Sequence, residues 1–255
     1  MGSIKPLRYL AVLLGVMLFW LLLDALGLLR ATWWPAANEV FSAARSMQPP
    51  LAKQAAMTLG LIVSGFLTGI ILSWALGCAM LLSRTAATLI GPITDVLRGV
   101  PPVCFIPFFI LWFGFAPTGK VALIAVNVLL VVYPVFVAHF RSLDRTYEEV
   151  WASFGRSNAA FVIGDGIRAT ATAMIPTYRF ALSFAVMLAI IAEAMGATAG
   201  LGHVITVALS TFSLGSLVAA SIAAAALAAI LDVLLVLTCR FLFPWVRWGD
   251  ASQLS

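Results

Sequence analysis

Val121-Ala-Leu-Ile-Ala-Val-Asn-Val-Leu-Leu-Val-Val-Tyr-Pro-Val-Phe-Val-Ala-His-Phe140 runs for twenty residues without a lysine, arginine, aspartate or glutamate. An α-helix of that length reaches about 30 Å, the thickness of a bilayer's hydrocarbon core. A half-buried strand would alternate apolar and polar side chains, and this stretch does not. It reads as a membrane-spanning helix over about 119–140.

The rest of the chain is of the same kind. Of its 255 residues 63% are hydrophobic and 10% charged, and mean hydropathy is +1.08. A soluble domain carries roughly 25% charged residues. Long apolar runs without alternation favour a helical bundle over a barrel. The expected fold class is all-α, a polytopic membrane bundle of six transmembrane helices.

Working outward, the first span covers about 9–29. Lys5 and Arg8 precede it, as in a signal peptide, but about twenty apolar residues suit a retained span better than a signal core. A polar stretch at 30–53 carries Trp33, Trp34 and Pro35, which suit a membrane–water interface. Within it, Asn38 is placed to cap a short helix over 39–46, with Val40, Phe41 and Ala44 on one face. The second span, about 55–82, repeats small residues at Gly65, Gly69, Ser73 and Gly77, a stripe that lets another helix approach closely.

The third span, about 87–113, is interrupted by Pro101, Pro102 and Pro107, which remove backbone donors and disfavour straight helix. Freed carbonyls need protein or water partners, so the break is a candidate pore-lining element. The fifth and sixth spans cover about 174–195 and 215–243. The segment 196–214 between them re-enters or lies along the membrane surface.

The net charge of +5 is scattered, so it sets topology and does not mark a nucleic-acid surface. An inside N-terminus places nine lysines and arginines in or beside cytoplasmic segments and four outside, which favours both termini inside. The isolated Cys78, Cys104 and Cys239 form no disulfide or metal spacing. Gly114–Lys120 imitates a phosphate-binding loop, but Val121 stands where a Mg²⁺-ligating hydroxyl belongs and the flanks are spans. No cofactor, metal or catalytic constellation is expected, and His139 and His203 are read as structural.

Intramembrane charges are costly unless paired or shielded. Asp95 and Arg98, three apart, share a helix face. They either neutralise each other in packing or leave Arg98 bordering a translocation path. Glu193, near the outer end of span five, belongs to an extracytoplasmic gate or reaches the interface. Asp24 and Asp232 are read as structural. The segment 141–168 is the densest polar region. Within it, Tyr147, Val150, Trp151 and Phe154 recur at spacings of three and four, describing an amphipathic helix closed by Gly155. It is either a solvated loop or a docking helix for a cytoplasmic partner, with aromatic anchors.

Three stretches together resemble the binding-protein-dependent permeases of ATP-binding-cassette importers, nearest to the nitrate, taurine and aliphatic-sulfonate group. Asp95–Gly114, with Leu97-Arg98-Gly-Val-Pro101-Pro102 and Leu111-Trp112-Phe113-Gly114, is similar to that group's Leu-Arg-Ser-Ile-Pro-Pro segment ending in Leu-Trp-Phe-Gly. Ala192-Glu193 followed by Gly200-Leu201-Gly202 is like its Ala-Glu-Met and Gly-Leu-Gly. Glu149-Val-Trp-Ala-Ser-Phe-Gly155 occupies the place of the Glu-Ala-Ala, three residues, Gly signature. Val150 and Trp151 replace the two alanines, and Ile167-Arg168 stands where Leu-Pro is usual, so Trp151 requires a matching pocket on its partner.

The resemblance implies a type I importer permease that performs no covalent chemistry. Two copies, expected as a homodimer, would form the path. Cytoplasmic ATPase subunits, which alone bind ATP and Mg²⁺, would grip Glu148, Glu149, Val150, Trp151, Phe154 and Gly155. An extracytoplasmic binding protein would deliver a small, anionic solute, and the path or gate would involve Arg98, Pro101, Pro102, Pro107 and Glu193. The expected organisation is a peripheral helix at 1–30, an extracytoplasmic linker at 31–54, a five-helix core at 55–245 with its coupling loop at 141–172, and a cytoplasmic tail at 246–255, in the bacterial inner membrane. The rival readings are a secondary transporter or channel using Glu193 or Asp232 for ions, an intramembrane enzyme, and a purely structural membrane subunit.

Overall fold

The computed structural model describes residues 15, 18–20, 22, 35–143, 149, 150, 153 and 158–244. The helices are α1 (Ala37–Ser46), α2 (Leu51–Leu82), α3 (Arg84–Gly99), α4 (Ile106–Phe113), α5 (Pro117–Arg141), α6 (Ile167–Ala194), α7 (Leu201–Ser210) and α8 (Leu214–Leu242). A helical turn at Asn158–Phe161 and a π segment at Val162–Gly166 lead into α6. No strand occurs among the described residues.

Among the described residues, four helical segments are long and apolar enough to cross a membrane: Leu51–Leu82, Pro117–Arg141, Ala173–Ala194 and Leu214–Leu242. The pair Arg84–Gly99 and Pro102–Phe113 is together long and apolar enough as well, but it bends by 102° at its break, the geometry of a broken span or a re-entrant loop. The expected spans two, four, five and six each fall on one of these four helices, the third falls on the bent pair, and the first, over 9–29, falls almost wholly outside the described residues.

Proline and glycine set the ends of these helices. The Ser83 side chain accepts the Ala86 amide at 3.2 Å and starts α3. Helix α3 stops at Gly99, just before Val100, which the following Pro101 holds in extended backbone. The chain then makes a 3₁₀ turn, Pro102–Phe105, and re-enters helix with Pro107 in the first turn of α4, where a missing amide costs nothing. Gly114 ends α4 at φ +64°, and Pro117 opens α5. The stretch that imitates a phosphate-binding loop is thus a short connection between two apolar helices.

The chain groups into two compact units, one of Met1–Thr58, Glu193–Leu227 and Trp245–Ser255, the other of Leu59–Ala192 and Ala228–Pro244. In the second unit, α2 packs along α5 through the small-residue stripe. A Cβ on Gly65 would lie 2.6 Å from the Cβ of Ile124, and one on Gly69 2.6 Å from that of Val128; one on Gly77 would overlap the Phe136 ring. Ile124, Val128, Val132 and Phe136, spaced by four, are almost completely buried. Lipid tails are as apolar as leucine, so close van der Waals contact drives this pairing more than hydrophobicity does. Ser73 completes the stripe by turning its hydroxyl to the Gly69 carbonyl at 2.6 Å, and Trp74 lies against Phe136 with ring centroids 4.7 Å apart. Large apolar side chains such as Leu111 and Phe241 point outward, as lipid-facing positions do.

The first unit contains α1. Its N-cap position is Ala36, and Asn38 sits two residues inside, its Oδ1 accepting the Glu39 amide at 2.8 Å. Helix α1 therefore starts earlier than the expected Asn38 cap. Val40 is buried and Phe41 is 61% exposed, so the two do not share a buried face as the spacing suggested. Residues 40 and 41 are neighbours, and a helix turns about 100° between them. Gly215, at the start of α8, lies under α1: a Cβ there would sit 3.0 Å from the Glu39 carbonyl oxygen.

Candidate functional site

The break between α3 and α4 frames a cleft of about 200 Å³ in the second unit. Leu97, Arg98 and Pro102 line it from the break, Leu130 and Asn127 from α5, and Phe184 from α6. Arg98, in the last turn of α3, is 46% exposed and meets Asp95 at 3.7 Å, a loose exposed pair on one helix face. Asn127 is 4% exposed, and its amide nitrogen, Nδ2, has no hydrogen-bond partner among the described residues. Pro101 and Pro107 are exposed, and Pro102 is half-buried.

In the first unit, Glu193 is completely buried. The Thr58 hydroxyl lies 2.9 Å from both of its carboxylate oxygens and donates to the group. The amide of Gly202 donates to Oε2 at 2.9 Å. The same Thr58 oxygen accepts the Leu201 amide at 2.9 Å, and Gln54 Oε1 accepts the Gly200 amide at 2.6 Å. Three successive backbone donors at the start of α7 thus end on three side chains. An α-helix leaves its first amides unpaired, and these acceptors supply partners where water is excluded. The negative carboxylate also faces the positive end of the helix dipole. Gly200 adopts φ +108°, and a Cβ there would overlap the carboxylate, so both backbone and space require glycine. Glu193 therefore does not reach the interface; it is an internal cap for α7.

Near the middle of α6 and α8, Arg179 Nε and an Arg179 terminal nitrogen donate to the two Asp232 oxygens, each at 2.8 Å. This bidentate pair joins two spans of the second unit. Asp232 is thus engaged by an arginine that the sequence reading did not pair it with. Of the residues expected to grip a partner, Glu149 and Val150 are helical and exposed, with Ser153 Oγ donating to the Val150 carbonyl at 2.6 Å. Glu148, Trp151, Phe154 and Gly155 lie outside the described residues.

Sequence reasoning missed Gln54, Thr58 and Asn127. Gln54 and Thr58 share a face of α2 at i,i+4, but their partners lie 146 and 143 residues away. Asn127 did carry a signal, as a polar side chain in the middle of an apolar run.

Apolar helices of membrane-spanning length and a helix broken at paired prolines describe a helical membrane protein. Residues 65–248 match the family described as binding-protein-dependent transport system inner membrane component, and the chain belongs to that family. It is 29% identical over 243 residues to a putative aliphatic sulfonates transport permease protein, SsuC, of Escherichia coli, covering 94% of this chain and 91% of the relative. It is 28% identical over 247 residues to the taurine transport system permease protein TauC of the same organism, covering 92% and 87%. In fold it is similar to a chain of the MetNI methionine ABC transporter in an inward-facing conformation, with a TM-score of 0.61 at 15% identity, covering 76% of this chain and 94% of that one. The chain is a multi-pass inner-membrane permease of the sulfonate, taurine and nitrate type of ABC transporter, a transport subunit and not an enzyme.

Proposed function

We propose that this chain forms the path of an ATP-driven importer for a small anionic solute handed over by an extracytoplasmic binding protein. The observation that carries the reading is the family match over 65–248. Two copies form the path as a homodimer with both termini cytoplasmic. Two ATPase subunits hold the segment Glu148–Gly155, with Trp151 and Phe154 as anchors. ATP binds the ATPases with different affinity in the inward-open and outward-open states, and this difference drives alternating access. The α3–α4 break, with Arg98, Pro101, Pro102 and Pro107, borders the path. Glu193 acts on the gate by holding α7 in place.

The test is co-purification and reconstitution. The tagged chain, extracted in mild detergent, is expected to bring an ATPase in roughly one-to-one ratio, and Glu149→Ala and Trp151→Ala to weaken that association. Proteoliposomes holding the complex are expected to take up solute only with ATP and binding protein. A chain that purified alone and carried solute without ATP would make it a secondary transporter.

A further inference from the structure

We propose that Phe212, on the turn between α7 and α8, is an anchor on which the extracytoplasmic binding protein docks. The proposal rests on the importer reading and adds to it the surface where the two proteins meet. Among the described residues Phe212 is the one non-glycine with a left-handed backbone, at φ +53°. Helix α7 ends there in a Schellman turn: the Ser213 amide donates to the Ala208 carbonyl at 2.9 Å, and the Phe212 amide to that of Leu209 at 3.3 Å. The turn needs positive φ at this one position, which glycine adopts at the lowest cost. A bulky residue held there is strained and persists only where something compensates it. The Phe212 ring is 87% exposed, so packing inside this chain does not supply the compensation. For folding alone glycine is the better residue, and whatever the ring gains lies outside the chain.

The surroundings select the partner. Ser210 and Thr211 beside the ring are exposed, and Gly215, three residues further on, packs beneath α1. Helix α1 turns Asn38, Glu39, Ser42, Arg45 and Ser46 outward, a polar face that does not lie in hydrocarbon. The turn therefore sits at the level of a water-facing surface, away from lipid tails. Glu39 and Arg45 put both signs of charge on that surface, a pattern that pairs with a folded protein and not with an anionic headgroup layer. An exposed aromatic ring among polar neighbours is the form that binding anchors take at protein interfaces. With both termini cytoplasmic, α1 and the turn face the side from which the binding protein arrives.

The test places the photocrosslinker p-benzoylphenylalanine at position 212 of the full chain in intact cells, and at the exposed Leu234 of α8 as a lipid-facing control. Irradiation is expected to capture, from position 212 and not from 234, a protein that mass spectrometry identifies as an exported solute-binding protein. Phe212→Gly is expected to raise the melting temperature of the purified chain by about 2–4 °C, because it relieves the turn. The same variant should need about tenfold more of the captured protein for half-maximal stimulation of the complex's ATPase, the loss of one anchor. Phe212→Tyr keeps the ring and should leave stimulation as it was. Capture of lipid or of a second copy alone, no capture, a lower melting temperature in Phe212→Gly, or unchanged stimulation by it overturns the anchor. Crosslinking and melting need no ATPase, so failure of the importer reading, seen as a chain that purifies without one, is read separately.

Discussion

The carboxylate of Glu193 accepts the backbone amide of Gly202, nine residues further along the chain, at 2.9 Å with the acid fully buried. A residue on one helix thereby caps the next. Removing it leaves the Gly202 amide short of an acceptor and opens a void. Glu193→Ala is expected to cost about 2–4 kcal/mol, and Glu193→Gln, which keeps an acceptor and the volume, roughly half of that. Thermal unfolding in detergent measures the loss. Amide exchange at Gly200–Gly202 should speed up at the same time, and unchanged exchange in Glu193→Ala would show that the cap is unimportant.

Gly200 is held at φ +108° against that carboxylate. Gly200→Ala meets both backbone strain and steric overlap, and is expected to destabilise by about 2–4 kcal/mol. Gly60, a helical glycine with nothing near its absent Cβ, is the control. Gly60→Ala should be neutral or stabilise by about 0.5–1 kcal/mol. Melting temperatures of the two variants, side by side, check the contrast.

The α2–α5 contact predicts a graded response along one stripe. Gly69→Ala drives a methyl into Val128 and the Ala125 carbonyl, and should cost about 1–3 kcal/mol. Val128→Gly added to it should recover part of the loss, because it removes both the Cβ at 2.6 Å and the Cγ1 at 2.8 Å that the new methyl would meet. A double-mutant cycle on thermal stability reads the coupling, and strict additivity would place the contact elsewhere.

Arg179 and Asp232 predict a charge-swap rescue. Asp232→Ala removes the carboxylate that takes two hydrogen bonds from Arg179 within the spans and should lower the yield of folded protein. Arg179→Asp combined with Asp232→Arg should restore much of it, with a coupling energy of about 1–3 kcal/mol. Size-exclusion profiles and melting curves in detergent are the measurement.

Composition and apolar run length determined that the chain crosses a membrane as helices, because lipid admits few other structures. Paired prolines located the break in the third span, since φ restriction and a missing donor act locally. The stripe Gly65–Gly69–Ser73–Gly77 announced a close helix contact, but not that Ile124, Val128 and Phe136 would meet it. Phe41 was placed on the wrong face of α1, because a single short amphipathic turn fixes its orientation only through what packs on it.

What only the tertiary structure decided are pairings across long stretches of chain. The partnership of Gln54 and Thr58 with residues 200 and 201, of Arg179 with Asp232, and of Arg98 with Asn127 at one cleft has no sequence period. Helical periodicity reports which residues share a face. Which faces meet is set by side-chain packing between helices and by the need of each buried polar group for a partner, and both are properties of the assembled bundle.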